Sequence, residues 1–135
     1  MIKLSGRYDH NAYRIASFPL SQALIGAKVE EGTWVTIDND ELVLPAAGAK
    51  AFMLMGSARD GRNQVLGQIN PLVSIYAGPL SVTTDMVDAT ATFTQMGALA
   101  VDADGKLVPA IAGDVIVAYS LDGALSDGFL RIICA

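Results

Sequence analysis

The residues able to do chemistry are few, and most stand alone. Cys134 is the only cysteine and His10 the only histidine in 135 residues, which excludes an intrachain disulfide, a C-x-x-C pair and a His-rich metal set. Two D-x-D motifs, Asp38-Asn39-Asp40 and Asp102-Ala103-Asp104, each follow an apolar run. The second continues into Gly105 and is similar to the middle of a calcium loop. That loop needs an oxygen ligand two residues before Asp102 and a glutamate at its twelfth position, where this chain has Ala100 and Ile111. Asp-Gly after a hydrophobic strand reads instead as a hairpin turn. Asp38, Asp40 and Glu41 would make a carboxylate pair with the second motif if the two hairpins lay side by side. Acid–base work then requires a partly apolar cleft, whereas hairpin tips are wet. Arg59-Asp60-Gly61-Arg62 reads as a solvated turn, and His10 as a surface histidine. Cys134 alternates with Leu130 and Ile132, the pattern of a buried, inert thiol. No G-x-S-x-G elbow or G-x-x-x-x-G-K phosphate loop occurs. The expectation is a protein with no catalytic, cofactor or metal site.

The elements that would carry these residues are short strands. Glycine, proline or an Asp/Asn cluster interrupts the chain every several residues, and the runs between are β-branched and alternating. The strands expected are Tyr13 to Phe18, Leu24 to Val29, Thr33 to Asp38, Glu41 to Leu44, Ala49 to Ser57, Asn63 to Gln68 and Leu72 to Ala77. They continue with Leu80 to Thr84, Thr90 to Thr94, Ala98 to Asp102, Lys106 to Val108, Val115 to Leu121 and Gly128 to Cys134. Leu20 to Ile25 is the one helical alternative. The fold class is all-β: a β-barrel or β-sandwich, jelly-roll or β-tulip-like, over residues 13–135. Residues 1–12 show no clean alternation and read as an extended N-terminal arm with little secondary structure of its own. Gly78-Pro79 marks a sheet edge or corner, since proline donates nothing to a ladder.

Bulk composition narrows the partners. The chain is 52% hydrophobic and 17% charged, against roughly 25% charged in typical soluble domains. So little charge suits a surface partly covered by other subunits. Residues 1–29 hold four basic side chains against Asp9, a net +3, and the rest holds five basic against thirteen acidic, a net −8. An acidic body repels nucleic acid. The longest charge-free run, residues 63–84, carries two prolines and several polar groups, which argues against a membrane helix. The opening residues have no apolar core of signal-peptide length.

Two hairpins look alike. Val35, Ile37, Asp38, Asp40 and Pro45 match Leu99, Val101, Asp102, Asp104 and Pro109 at an offset of 64. A one-residue shift at the second turn then aligns Leu42-Val43 with Leu107-Val108 and Gly48 with Gly113. Either an internal duplication or turn chemistry reaching one solution twice would produce this. Within the match, the face of Val35 and Ile37 stays apolar, while Trp34 and Thr36 become Ala98 and Ala100. Trp34 is therefore not required by the hairpin. It reads either as a core residue or as an anchor for a neighbouring subunit, where tryptophan is enriched.

The segments YAGPLSVTTD, VDADGKLVPA, GDVIVAYSLDG and FLRI resemble the pattern of head decoration, or cement, proteins of tailed bacteriophages. The matching positions are Gly78-Pro79, Asp102 to Pro109 and Gly113-Asp114, within residues 28–135; the N-terminal arm matches less clearly. The resemblance implies a structural protein of the virion, not an enzyme. Its partners would be the major capsid protein and itself, as dimer or trimer, on the capsid exterior after assembly in the host cytoplasm. Neither nucleic acid nor membrane is an expected partner, and no cofactor is expected. The candidate capsid or oligomer contacts are Ile2, Lys3, Leu4, Arg7, Tyr8 and Tyr13 of the basic, aromatic arm, together with Trp34. The arm is expected to lie on the capsid surface or add a strand to it. Rival readings are a lectin-like β module using Trp34, Asp38 and Asn39, and a small trimeric enzyme of the dUTPase type, for which no phosphate-binding Arg-Ser element is present.

Overall fold

The computed structural model describes residues 2–4, 14–54, 72–76 and 80–135. The expected strands over Asn63 to Gln68, the Arg59–Arg62 turn and Gly78-Pro79 lie outside the described residues, as does His10. Within them the chain is all-β, with one short helix. The strands are β1 (Ile2–Leu4), β2 (Arg14–Pro19), β3 (Trp34–Asp38), β4 (Glu41–Val43), β5 (Phe52–Leu54) and β6 (Leu72–Tyr76). They continue with β7 (Ser81–Thr84), β8 (Ala98–Val101), β9 (Leu107–Pro109), β10 (Ala118–Ser120) and β11 (Leu130–Cys134). Two antiparallel sheets form, ordered β2-β6-β5-β3-β4 and β1-β7-β11-β10-β8-β9, a sandwich-like arrangement.

With β1 set aside, the two sheets have the same topology. Taking β2 to β6 as strands one to five of the first sheet and β7 to β11 as one to five of the second, each runs one-five-four-two-three. The correspondence extends past the ladders. Leu20, just after β2, bridges Leu42 in parallel, and Val87, just after β7, bridges Leu107 in the same way. Each following residue then donates its N–H to that partner's carbonyl, Ser21 to Leu42 and Asp88 to Leu107, both at 3.0 Å. The resemblance between the hairpins is thus part of an internal structural repeat covering both sheets.

The one-residue shift inside the repeat comes from the turns. In the β3–β4 hairpin Asp38 faces Glu41, leaving Asn39 and Asp40 as a two-residue loop with φ of 49° and 61°. That is type I′ geometry, whose twist suits a tight hairpin. In the β8–β9 hairpin Val101 faces Leu107 and Asp102 N–H donates to Lys106 O, so the loop has one residue more. Gly105 takes the left-handed position at φ 76°, and the Asp102 carboxylate accepts from the N–H groups of Asp104 and Lys106. Aspartate shapes both turns by different routes.

Each sheet encloses its own apolar cluster. The first gathers Leu20, Leu24, Val29, Val35, Leu42, Leu54, Val73 and Ile75. The second gathers Val82, Val87, Phe93, Leu99, Val101, Leu107, Leu130 and Ile132, and extends across to Trp34, Ala51, Met53 and Tyr76 of the first sheet. Register pairs Trp34 with Met53 and Met53 with Tyr76, so these three form a cross-strand row facing the second cluster.

Several expectations are corrected. Leu24 to Val29 is not a strand. Ser21 caps helix α1 (Gln22–Gly26), its Oγ accepting from Leu24 N–H at 3.3 Å. The cap and the helix-compatible Gln-Ala-Leu run fold Leu24 onto the first core. Thr90 to Thr94 is not a strand either, because the Asp88 carboxylate takes both the N–H and the hydroxyl of Thr90 and turns the chain. Ile37, expected in the core, is exposed near the hairpin tip. The arm expected over residues 1–12 has secondary structure where it is described. Ile2, Lys3 and Leu4 pair with Thr84, Thr83 and Val82 as the outermost strand of the second sheet, and Ile2 packs against the core.

Candidate functional site

Of the candidate contact residues, the structure brings together only part. Arg7, Tyr8 and Tyr13 lie outside the described residues. Lys3 and Leu4 occupy ladder positions on β1, and Ile2 contributes apolar surface to the core. The candidate contact at Trp34 is corrected: the side chain is 2% exposed, held between the sheets by the row it forms with Met53 and Tyr76. A tryptophan in that position has no face left for a subunit on the outside. The lectin-like set of Trp34, Asp38 and Asn39 is not assembled, since Trp34 is buried while Asp38 and Asn39 are exposed.

The two D-x-D turns do not meet. Gly105 accepts from Trp34 N–H at 3.0 Å, so the second turn abuts the start of β3. Asp38 lies four residues on, on the order of 13 Å along the strand. A carboxylate pair between the hairpins is therefore not formed. Among the described residues no group of three or more His, Cys, Asp or Glu side chains could hold a metal ion.

Among the described residues, three features are places where something could bind. The first is an apolar ledge in the β9–β10 connection. Ile111 is 76% exposed, and Val115 and Ile116 are exposed as well. Ala110 N–H donates to Ala98 O, which brings this connection alongside the segment bearing Met96, 61% exposed. Val115 and Ile116, expected in a strand, precede β10 instead; the signal for this is the Gly113-Asp114 turn just before them, with Ile111 on its other side.

The second is an open cleft of about 710 Å³ lined by Thr83, Asp122, Ser126, Asp127, Phe129 and Arg131, among others. Asp122 and Arg131, both in its lining, are clamped together. The guanidinium donates from Nε to both carboxylate oxygens at 3.0 and 3.1 Å and from its terminal nitrogen at 2.6 Å. These hydrogen bonds hold the Asp122 carboxyl below the usual aspartate value and raise Arg131. The third is a smaller cavity beside Trp34, between the sheets. Cys134, near its wall, is half-buried and its thiol is pushed up to about 12 by burial, which makes it a poor nucleophile.

No family model matches the chain, and no curated protein or solved structure matches it.

Proposed function

We propose that this chain is a capsid decoration protein: a structural clip that binds the outside of a phage head and bridges major capsid subunits. The identity of the partner rests on the resemblance of the punctuated segments from residue 28 onward. The observation that carries the surface is the ledge of Ile111, Val115, Ile116 and Met96, exposed apolar area of the kind that binding covers. A clip that touches several subunits gains through effective concentration, because its second contact is intramolecular once the first is made. Each contact can then be weak.

The place of β1 revises how the arm would act. Its tip is committed to the body's own sheet, so the capsid contact is drawn from the ledge and from arm residues beyond the tip. The test is co-sedimentation with expanded, empty phage heads, alongside the elution volume of the free protein. Ile111→Asp is expected to lower occupancy at least tenfold, a hot-spot loss of roughly 1.4 kcal/mol or more, with an unchanged melting temperature. Full occupancy by that variant removes the ledge from the interface. Failure to bind any head, joined with binding to glycans, favours the lectin-like reading instead. For that reading the observation is the open cleft, where Phe129 stands with Asp127, Ser126 and Thr83.

A further inference from the structure

One face of the repeated unit is covered in the first sheet and only half-covered in the second. In the first sheet the cross-strand row of Trp34, Met53 and Tyr76 packs on the apolar cluster of the second sheet, and each member is exposed by 6% or less. The Trp34 indole Nε1 is buried with no hydrogen-bond partner, so that donor adds nothing and apolar packing makes the contact. The equivalent row of the second sheet is Ala98, Tyr119 and Ile133, paired in the same order, and Ser81 extends it onto β7. Their strand neighbours Leu99, Ala118 and Ile132 belong to the core, so alternation turns this row to the opposite face. There all four are half-buried. Ala100, next on that face, is buried and bounds the patch.

The chemistry of the row and the shape of the repeat decide what covers it. Ser81, Ile133, Tyr119 and Ala98 carry no charge. Arg131, two residues from Ile133 and so on the same face, has its guanidinium clamped by Asp122 and presents no unmatched cation. Tyr119 stands in the middle of the row, an aromatic of the kind enriched where proteins meet. Continuing the repeat head to tail would lay this row on the face that Val35, Leu42, Leu54 and Ile75 form in the first sheet of another copy. That face is closed, because all four are fully buried in one cluster with Leu20 and Leu24. The row can instead meet its own counterpart about a two-fold axis, uncharged surface against uncharged surface, and such a contact closes at two copies. We propose that the outer face of the second sheet, centred on Tyr119, joins two copies of this chain into a two-fold dimer. The dimer is independent of the capsid reading, because it uses none of the ledge residues and needs no phage head.

Four strand positions make a small interface, so the association expected is weak. Sedimentation equilibrium of the intact chain from roughly 10 µM to 1 mM spans the affinities that such interfaces reach. A monomer–dimer equilibrium with no larger species is the expected result. Tyr119→Glu and Ala98→Arg should each weaken it roughly tenfold or more, whereas Ile111→Asp, on the ledge, should leave it unchanged. Melting temperatures show which variants stay folded. Where a variant does not, isotope-filtered contacts between labelled and unlabelled wild-type copies decide, and they should join Tyr119 and Ile133 of one copy to the same face of the other. A chain that stays monomeric throughout, a trimer or growing polymer, or a dimer that both folded variants leave intact overturns the proposal. So does a dimer whose filtered contacts lie elsewhere. A monomer whose binding to empty heads is lost in Tyr119→Glu assigns the face to the capsid and overturns it as well.

Discussion

At the scale of single residues, two side-chain environments give sharp expectations. Cys134 titrates near 12 rather than 9.0 because burial disfavours its thiolate. That leaves on the order of a thousandfold less thiolate at pH 8 than in the unfolded chain. Native protein should therefore resist iodoacetamide at pH 8 and label quickly once denatured, as mass spectrometry over a urea series would show; rapid native labelling contradicts the packing. Asp88 and Asp122 are both held below the ordinary 3.8, first by hydrogen bonds from Thr90 and Arg131 respectively. A depressed folded-state value stabilises the fold above the unfolded value and loses that contribution as pH falls through the folded one. Thermal unfolding measured from pH 6 to pH 2 should show stability declining below about pH 4, with a shallower decline in the Asp88→Asn, Asp122→Asn double variant.

At the scale of elements, the two hairpins make opposite demands on their turns. Asn39 and Asp40 both sit at positive φ, where a residue with a Cβ is strained and glycine is not. Asp40→Gly should raise stability by about 0.5–1 kcal/mol, read as a higher urea midpoint with unchanged slope. Gly105 shows the reverse. At φ 76° its missing Cβ would lie 2.6 Å from the Trp34 carbonyl oxygen, so Gly105→Ala should cost about 2 kcal/mol or more. An unchanged midpoint there would mean that the turn and β3 are not packed together. The β1 strand shows how little a pattern of three residues reveals. Ile-Lys-Leu alternates, but nothing local says that it pairs with residues 82–84. Only the free edge of β7 and the space that Ile2 fills in the core decide that.

At the scale of the whole molecule, Trp34 links the two halves of the repeat. Its equivalent, Ala98, is only half-buried, so the tryptophan belongs to the junction between sheets and not to the repeated unit. Trp34→Phe should leave unfolding free energy within about 1 kcal/mol, because lost contacts are offset by removal of an unpaired donor. Trp34→Ala should cost about 3–5 kcal/mol through the void it leaves. Equal, small effects for both would place the ring outside the core.

The sequence by itself determined the fold class, most strands and both D-x-D turns, because alternation and turn chemistry act over a few residues and survive in one dimension. It also held the repeat, down to the extra loop residue that shifts the second hairpin. What it left open is whatever depends on which faces meet. Trp34 faces the polar side of its own strand, and period-two alternation cannot say that a second sheet covers that side. Ile37 and Val115 have core-like side chains, yet Ile37 sits near a hairpin tip beyond the positions that β5 pairs and Val115 lies in the connection ahead of β10. The helix at Ser21 and the pairing of β1 were settled by local capping and by a vacant sheet edge, both of which compete with periodicity and win only once the neighbouring residues are in place. Burial is a property of pairs of surfaces, and only the tertiary structure brings those pairs together.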